Sequence, residues 1–216
     1  MTSRACQWQA RGRNVQMLDK AATANLLRTD SYLAGYLDPE GGALNPLSFA
    51  RGLARALIDE GGQLFTGSRA LQLQREVNGR WLVVTRCGHV STGQVVIATG
   101  AYSDGLCGSL KHSTLPVQSI QIATAPMPID LRSSILPAGH VVSDSRRLLL
   151  YFRQQEDGRL VFGGRGSLGG TQIKPSHVKR VDKAMRLTFP QLGKVPIEHV
   201  WAGLVDLTLD RRLRVH

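Results

Sequence analysis

Apolar positions recur along this chain first at helical spacing and then at strand spacing, and the change of rhythm sets its expected organisation. Residues 19–29 (DKAATANLLRT) read as a short helix with Asp19 placed to cap its start. The following YLAGYLDPEGGALNP is rich in Gly and Pro and reads as loop with room for one short strand. In PLSFARGLARALIDEGGQ, Leu53, Ala54, Leu57 and Ile58 repeat at helical spacing, Ser48 is positioned to cap the start, and Gly61-Gly62 stop the run. The segments QLFTGS, ALQLQREV and RWLVVTR are short and apolar or β-branched, and Asn78-Gly79 between the last two is a hairpin signal. Cys87-Gly88-His89 marks another turn. Val95-Val96-Ile97-Ala98, bounded by glycines, has the form of a strand buried on both faces. Residues 46–104 are thus expected to run helix, strand, hairpin, buried strand, glycine turn.

Residues 108–165 read as strand and turn throughout. VQSIQIATAP alternates, and RLLLYFRQ and GRLVFGG form a hairpin around Glu156-Asp157-Gly158. An amphipathic helix follows over 175–189, with Val178, Val181, Met185 and Leu187 as its apolar face, and IEHVWAGLVDLTLD reads as a closing strand. The fold class expected is α/β and α+β: one unit of helix and buried strand, then an antiparallel sheet with helices.

Composition narrows the partners. Of 216 residues, 42% are hydrophobic, and no run of 18 apolar residues predicts a membrane-spanning helix. The first residues, MTSRACQWQARGRN, lack the apolar core of a secretory signal. Cys6, Cys87 and Cys107 are odd in number and far apart, which suggests neither a disulfide framework nor a zinc site and makes the cytoplasm the expected compartment. The net charge of +11 divides as +3 over residues 1–107 (11 basic, 8 acidic) and +8 over 108–216 (16 basic, 8 acidic). Such an excess is a polyanion surface, a solvated face, or a face covered by an acidic partner or segment. Its basic residues are not interleaved with aromatics and no nucleic-acid motif accompanies them, so nucleic acid is not an expected partner. The six histidines stand singly, and no cluster has metal-ligand spacing.

Four pieces stand in a fixed order: GGALNPLSFARGLARALIDEGGQL, then Val96-Ile97-Ala98-Thr99-Gly100-Ala101-Tyr102-Ser103, then Asp157-Gly158-Arg159-Leu160-Val161-Phe162-Gly163-Gly164, then Trp201-Ala202-Gly203 with Thr208 and Asp210. This series, from about Leu18 to Asp210, resembles the D-amino-acid oxidase-like superfamily of FAD-dependent oxidoreductases, which includes glycine oxidase, sarcosine oxidase and γ-glutamylputrescine oxidase. The resemblance implies part of a split, Rossmann-like FAD-binding domain over 1–107, an antiparallel substrate-binding sheet over 108–200, and over 201–216 a strand returning toward the FAD domain. It implies FAD as cofactor, with Ala70, Ala98, Thr99 and Gly100 beside it. It implies oxidation of a C–N bond by hydride transfer to the flavin, chemistry that the cofactor carries and the protein positions. Tyr151, Arg153 and Trp201 are the implied substrate-side residues; no residue is singled out as catalytic.

Two departures from the family pattern matter. The opening G-x-G-x-x-G loop, whose backbone N–H groups hold the FAD pyrophosphate, is absent. Gly164-Arg165-Gly166-Ser167-Leu168-Gly169 fits that spacing but follows a hairpin strand and opens no βαβ unit. Where the family carries a glycine-rich loop toward the flavin, this chain reads Asp210-Arg211-Arg212-Leu213-Arg214-Val215-His216. A truncated, weakly active or inactive oxidase is therefore expected, with bare apolar faces and poor solubility. The alternative is a non-enzymatic subunit that completes its fold with a partner chain carrying the missing parts. Amino-acid oxidising relatives place an arginine shortly after W-x-G to pair with the substrate carboxylate. Here Leu204-Val205-Asp206 follow, which implies an amine substrate of the γ-glutamylputrescine type, with Asp206 as ammonium partner.

Overall fold

A computed structural model describes residues 2–108, 113–146 and 149–208 of the chain. They form two units: residues 1–43 with 118–203, and residues 44–117 with 204–216.

The first unit is built on a five-stranded sheet in the order β10-β6-β9-β8-β7. Its strands are β6 (Leu115–Thr124), β7 (Val142–Ser143), β8 (Tyr151–Gln154), β9 (Leu160–Leu168) and β10 (Ile197–Leu207). The expected hairpin forms with Gln154 opposite Leu160 and Tyr151 opposite Gly163, and Gly158 supplies the left-handed residue of its turn (φ +85°). Helix α5 (Pro175–Thr188) packs on β9. Its buried side is Val181 and Met185, while Leu187, expected on the same face, is 67% exposed. At 100° per residue Leu187 lies about 200° beyond Met185, on the far side of the cylinder. Phe152 stacks on Phe162 at 5.0 Å and meets Phe189 edge-on at 5.2 Å, which centres the core on this face of the sheet.

The N-terminal part of this unit adds α1 (Thr2–Gln9), which the sequence pattern did not suggest, and a small antiparallel pair, β1 (Gln16–Leu18) with β2 (Gly35–Leu37). Helix α2 (Lys20–Leu27) starts as expected: the Asp19 carboxylate accepts from the Ala22 amide at 2.7 Å. Leu27 joins the aromatic core. A short helix, α4 (Ile129–Ser133), follows β6.

The second unit holds α3 (Pro46–Asp59) and a three-stranded antiparallel sheet, β3 (Gln72–Arg75), β4 (Trp81–Val84) and β5 (His89–Thr92). Both expected turns, at Asn78-Gly79 and Cys87-Gly88, join these strands. Three local expectations are corrected. The cap of α3 is Asn45, whose side chain accepts from the Leu47 and Ser48 amides at 3.1 Å each, and Ser48 lies within the first turn. Pro46 at the first helical position needs no N–H partner, so the helix begins earlier than a Ser48 cap implies. QLFTGS forms no strand. The run Val95–Ala98 is also not a strand, and Val96 is 89% exposed. A strand is defined by ladder bonds to a neighbour, and no described strand pairs with this segment. The apolar face of α3 is likewise bare, with Leu53, Leu57 and Ile58 each 45–56% exposed. Val117 is the sole buried hydrophobic residue of this unit among the described residues.

Candidate functional site

In the second unit a glycine turn brings several of the expected residues together. Gly100, at φ +52°, opens a 3-10 turn through Tyr102. The Thr99 and Ser103 hydroxyls lie 2.7 Å apart, and Ser103 Oγ donates to Gly100 O at 2.8 Å, so the Thr99 side chain braces the turn. The Leu204 amide donates to Tyr102 Oη at 2.7 Å, which fixes the end of β10 beside the turn. Asp206, two residues on, then approaches Gly100: a methyl group built on that glycine would sit 3.7 Å from Asp206 Oδ2. Asp206 Oδ1 is buried without a hydrogen-bond partner. Arg69 pairs with Asp104 at 2.6 Å and ties the segment containing Ala70 to the residues after the turn. That pair is exposed at both ends and contributes geometry more than energy. Ala70 is half-buried just before β3, and Ala98, Thr99 and Gly100 are exposed.

The other expected residues lie in the first unit. Tyr151 and Arg153 occupy alternate positions of β8 and so face away from Phe152 and the core. The Tyr151 ring lies across β9 over Gly163, where an added Cβ would be 2.0 Å from Tyr151 Cε2. This route carries the phenol to β6: Tyr151 Oη meets Ser119 Oγ, and it donates to Gly164 O at 3.3 Å. Burial pushes the Tyr151 pKa above its ordinary value, and the Ser119 hydroxyl opposes that shift by donating to the phenol oxygen. The phenol is therefore neutral and held. Trp201, 40% exposed, is on β10, which β6 and β9 separate from β8. The sheet does not make it a neighbour of Tyr151.

Sequence reasoning missed Ser119, Gly163 and Gln118. Gly163 was within reach, because counting from the hairpin turn sets it opposite Tyr151, and a glycine opposite an aromatic leaves room for the ring. Gln118 is fully buried. Its Oε1 atom occupies the space a Cβ on Gly166 would need, and it accepts from Ser167 N at 3.4 Å. Its Nε2 donates to Gln172 O at 3.2 Å. This explains two glycines of GGRGSLGG: Gly163 and Gly166 clear space for Tyr151 and Gln118 within β9. They are sheet glycines and form no phosphate loop.

A split fold of helices and antiparallel sheets, with a glycine turn, defines the class: the chain belongs to the FAD-dependent oxidoreductase family, whose model matches residues 2–216. Among its relatives are the probable oxidoreductase OrdL of Haemophilus influenzae, 37% identical over 201 residues, or 91% of this chain and 45% of that protein, and the gamma-glutamylputrescine oxidoreductase of Escherichia coli, 34% identical over 208 residues, or 94% and 48%. The chain thus spans about half the length of these relatives. The crystal structure of glycine oxidase from Geobacillus kaustophilus superposes with a TM-score of 0.79 at 18% identity, covering 95% of this chain and 54% of that one, a likeness of fold.

FAD is the cofactor of this family. The small, exposed turn Ala98–Gly100 leaves room for close approach of a flat group. Among the described residues nothing fits the cofactor's diphosphate: the one run with G-x-G-x-x-G spacing is built into β9 and packed against Gln118. No helix of the described residues is long and apolar enough to cross a membrane.

Proposed function

We propose that this chain is the substrate-sheet and adenosine-side half of an FAD-dependent oxidase acting on amines, weakly active or inactive by itself. The observation that carries this reading is Asp206, whose Oδ1 is buried without a partner beside the Gly100 turn. An unpaired buried carboxylate oxygen is costly to leave unmet, and a substrate ammonium satisfies it where an amino-acid carboxylate is repelled. Leu204 and Val205, next to it on β10, offer no cation to a carboxylate. This favours amines such as γ-glutamylputrescine over glycine. FAD, when bound, supplies the acceptor for the hydride. Ala70, Ala98, Thr99 and Gly100 flank it, while Tyr151, Arg153 and Trp201 shape the substrate side.

The test pairs the chain with a polypeptide that carries the glycine loop, such as the N-terminal half of the Haemophilus relative, and measures peroxide release from γ-glutamylputrescine and from glycine. The amine should be the better substrate, and Asp206→Asn should lower kcat/KM for it by about tenfold, the worth of one charge-assisted contact. Glycine turned over equally well, or an unchanged Asp206→Asn variant, sinks the amine reading. A second reading is favoured by the bare apolar face of α3: a non-enzymatic subunit that completes its fold with a partner chain. Both readings have the chain working in the cytoplasm, where Cys6 and Cys87 stay free thiols.

A further inference from the structure

A cavity of about 370 Å³ lies within the first unit, between α2, the β1–β2 pair and the segment around β7. Water occupies roughly 30 Å³ per molecule, so this space exceeds what one or two ordered waters fill. Leu26, Leu37 and Val142 are among its apolar walls. Three of its lining residues carry buried polar atoms without hydrogen-bond partners: Tyr32 Oη, His140 Nδ1 and Asp144 Oδ2. Val142 pairs with Phe152, and Tyr32 packs 6.3 Å from the same ring, so the cavity belongs to the core face of the sheet. Tyr151 and Arg153 point from the opposite face. The cavity is separate from the candidate substrate side.

The charges decide which ligand it takes. The Asp144 side chain is 3% exposed, and its Oδ1 is engaged by the amides of Arg146 and Leu150 at 3.2 and 2.9 Å. Arg146 Nε stands 3.1 Å from Oδ2, so the carboxylate charge is already balanced and a cationic ligand would have to displace that partner. An anion would meet the carboxylate, and Arg4, the other charged residue of the lining, is exposed to solvent. Burial, and then the Asp144 charge, push the Tyr32 pKa up to about 12, which keeps its hydroxyl a neutral donor. The Thr188 hydroxyl, which donates to Ala184 O, influences Tyr32 least and reaches no hydrogen-bond geometry with it.

What remains without a hydrogen bond in the cavity is one ion-paired carboxylate oxygen, one phenol and one imidazole nitrogen, beside apolar walls. We infer that this cavity is a binding site for a small uncharged molecule bearing a primary carboxamide on an aliphatic body. The amide NH2 donates to Asp144 Oδ2 while its carbonyl accepts from Tyr32 Oη or from His140, and the alkyl chain lies against the leucines. Such pockets are typically mostly apolar with a few converging polar groups. Bound there, the amide bridges Tyr32, after α2, to the residues flanking β7, and its occupancy bears on the packing of the sheet whose other face carries Tyr151.

Calorimetric titration of the full chain with pentanamide, pentylamine and pentanoate separates the possibilities. Pentanamide should bind at least about tenfold more tightly than either charged analogue and should shift the His140 ring resonances in the unmodified chain. Tyr32→Phe should weaken pentanamide by about tenfold, the effect of one hydrogen bond. Ala34→Leu, which fills the cavity from its wall, should abolish binding with an unchanged far-ultraviolet spectrum. Tighter binding of pentanoate or pentylamine, no binding of any probe, or pentanamide binding that survives Ala34→Leu would each overturn the assignment.

Discussion

Replacing Phe162 by alanine is expected to destabilise the first unit by about 3–5 kcal/mol, which is a large fraction of an ordinary domain's stability. Phe162 is fully buried on β9 and stacks on Phe152, which in turn meets Phe189 edge-on. The loss has two parts: the transfer of the ring from water, and a cavity that its stacked neighbour Phe152 and the backbone of a five-stranded sheet cannot collapse to fill. Urea unfolding followed by far-ultraviolet circular dichroism measures it as a drop in midpoint at unchanged slope. Leu187→Ala on α5 is the control. At 67% exposure it should change stability by less than about 0.5 kcal/mol. Equal effects of the two would contradict the placement of the core.

Gly163→Val should have the next largest effect and a more specific signature. The new Cβ would stand 2.0 Å from Tyr151 Cε2 and 2.7 Å from Cζ, closer than any real contact, so the ring must leave β9. Overpacking of this kind costs about 1–3 kcal/mol, and here it also separates the phenol from Ser119 and Gly164. The expected signature is coupling. In a Tyr151→Ala background the valine should be tolerated far better, because the clashing atoms are gone. Additive losses in the double variant would mean that something other than the ring excludes a side chain at position 163.

These two positions also show what the sequence made legible. The Phe162 and Phe152 contacts follow from a hairpin whose turn, Glu156-Asp157-Gly158, is written in local residues, and counting outward from it pairs Tyr151 with Gly163. The Asp19 cap, the Asn78-Gly79 turn and the helix over Pro46–Asp59 are equally local and were readable for that reason. Ser119 and Gln118 were not, because their roles exist only once β6 lies beside β9, an adjacency between strands about forty residues apart. Val95–Ala98 failed in the opposite direction. Its composition describes a buried strand, but burial and ladder bonds come from neighbours, and none of the described strands provides them. Of the candidate site, the resemblance and the departures from it pointed to Ala70, Ala98, Thr99, Gly100 and Asp206, which fall in one unit. Asp210 and the basic run to His216 lie outside the described residues.

The bare face of α3 and the unpaired Val95–Ala98 segment share one physical meaning. Each is an apolar surface or backbone that the described residues leave open, and under the proposed reading a polypeptide carrying the glycine loop engages it. The absorbance of the purified chain near 450 nm, alone and after co-expression with a glycine-loop-bearing half of a relative, tests this most directly. The account predicts a colourless chain alone and about one flavin per complex when the halves are combined. Tightly bound stoichiometric flavin in the chain alone, or a complex that forms and stays colourless, would contradict it.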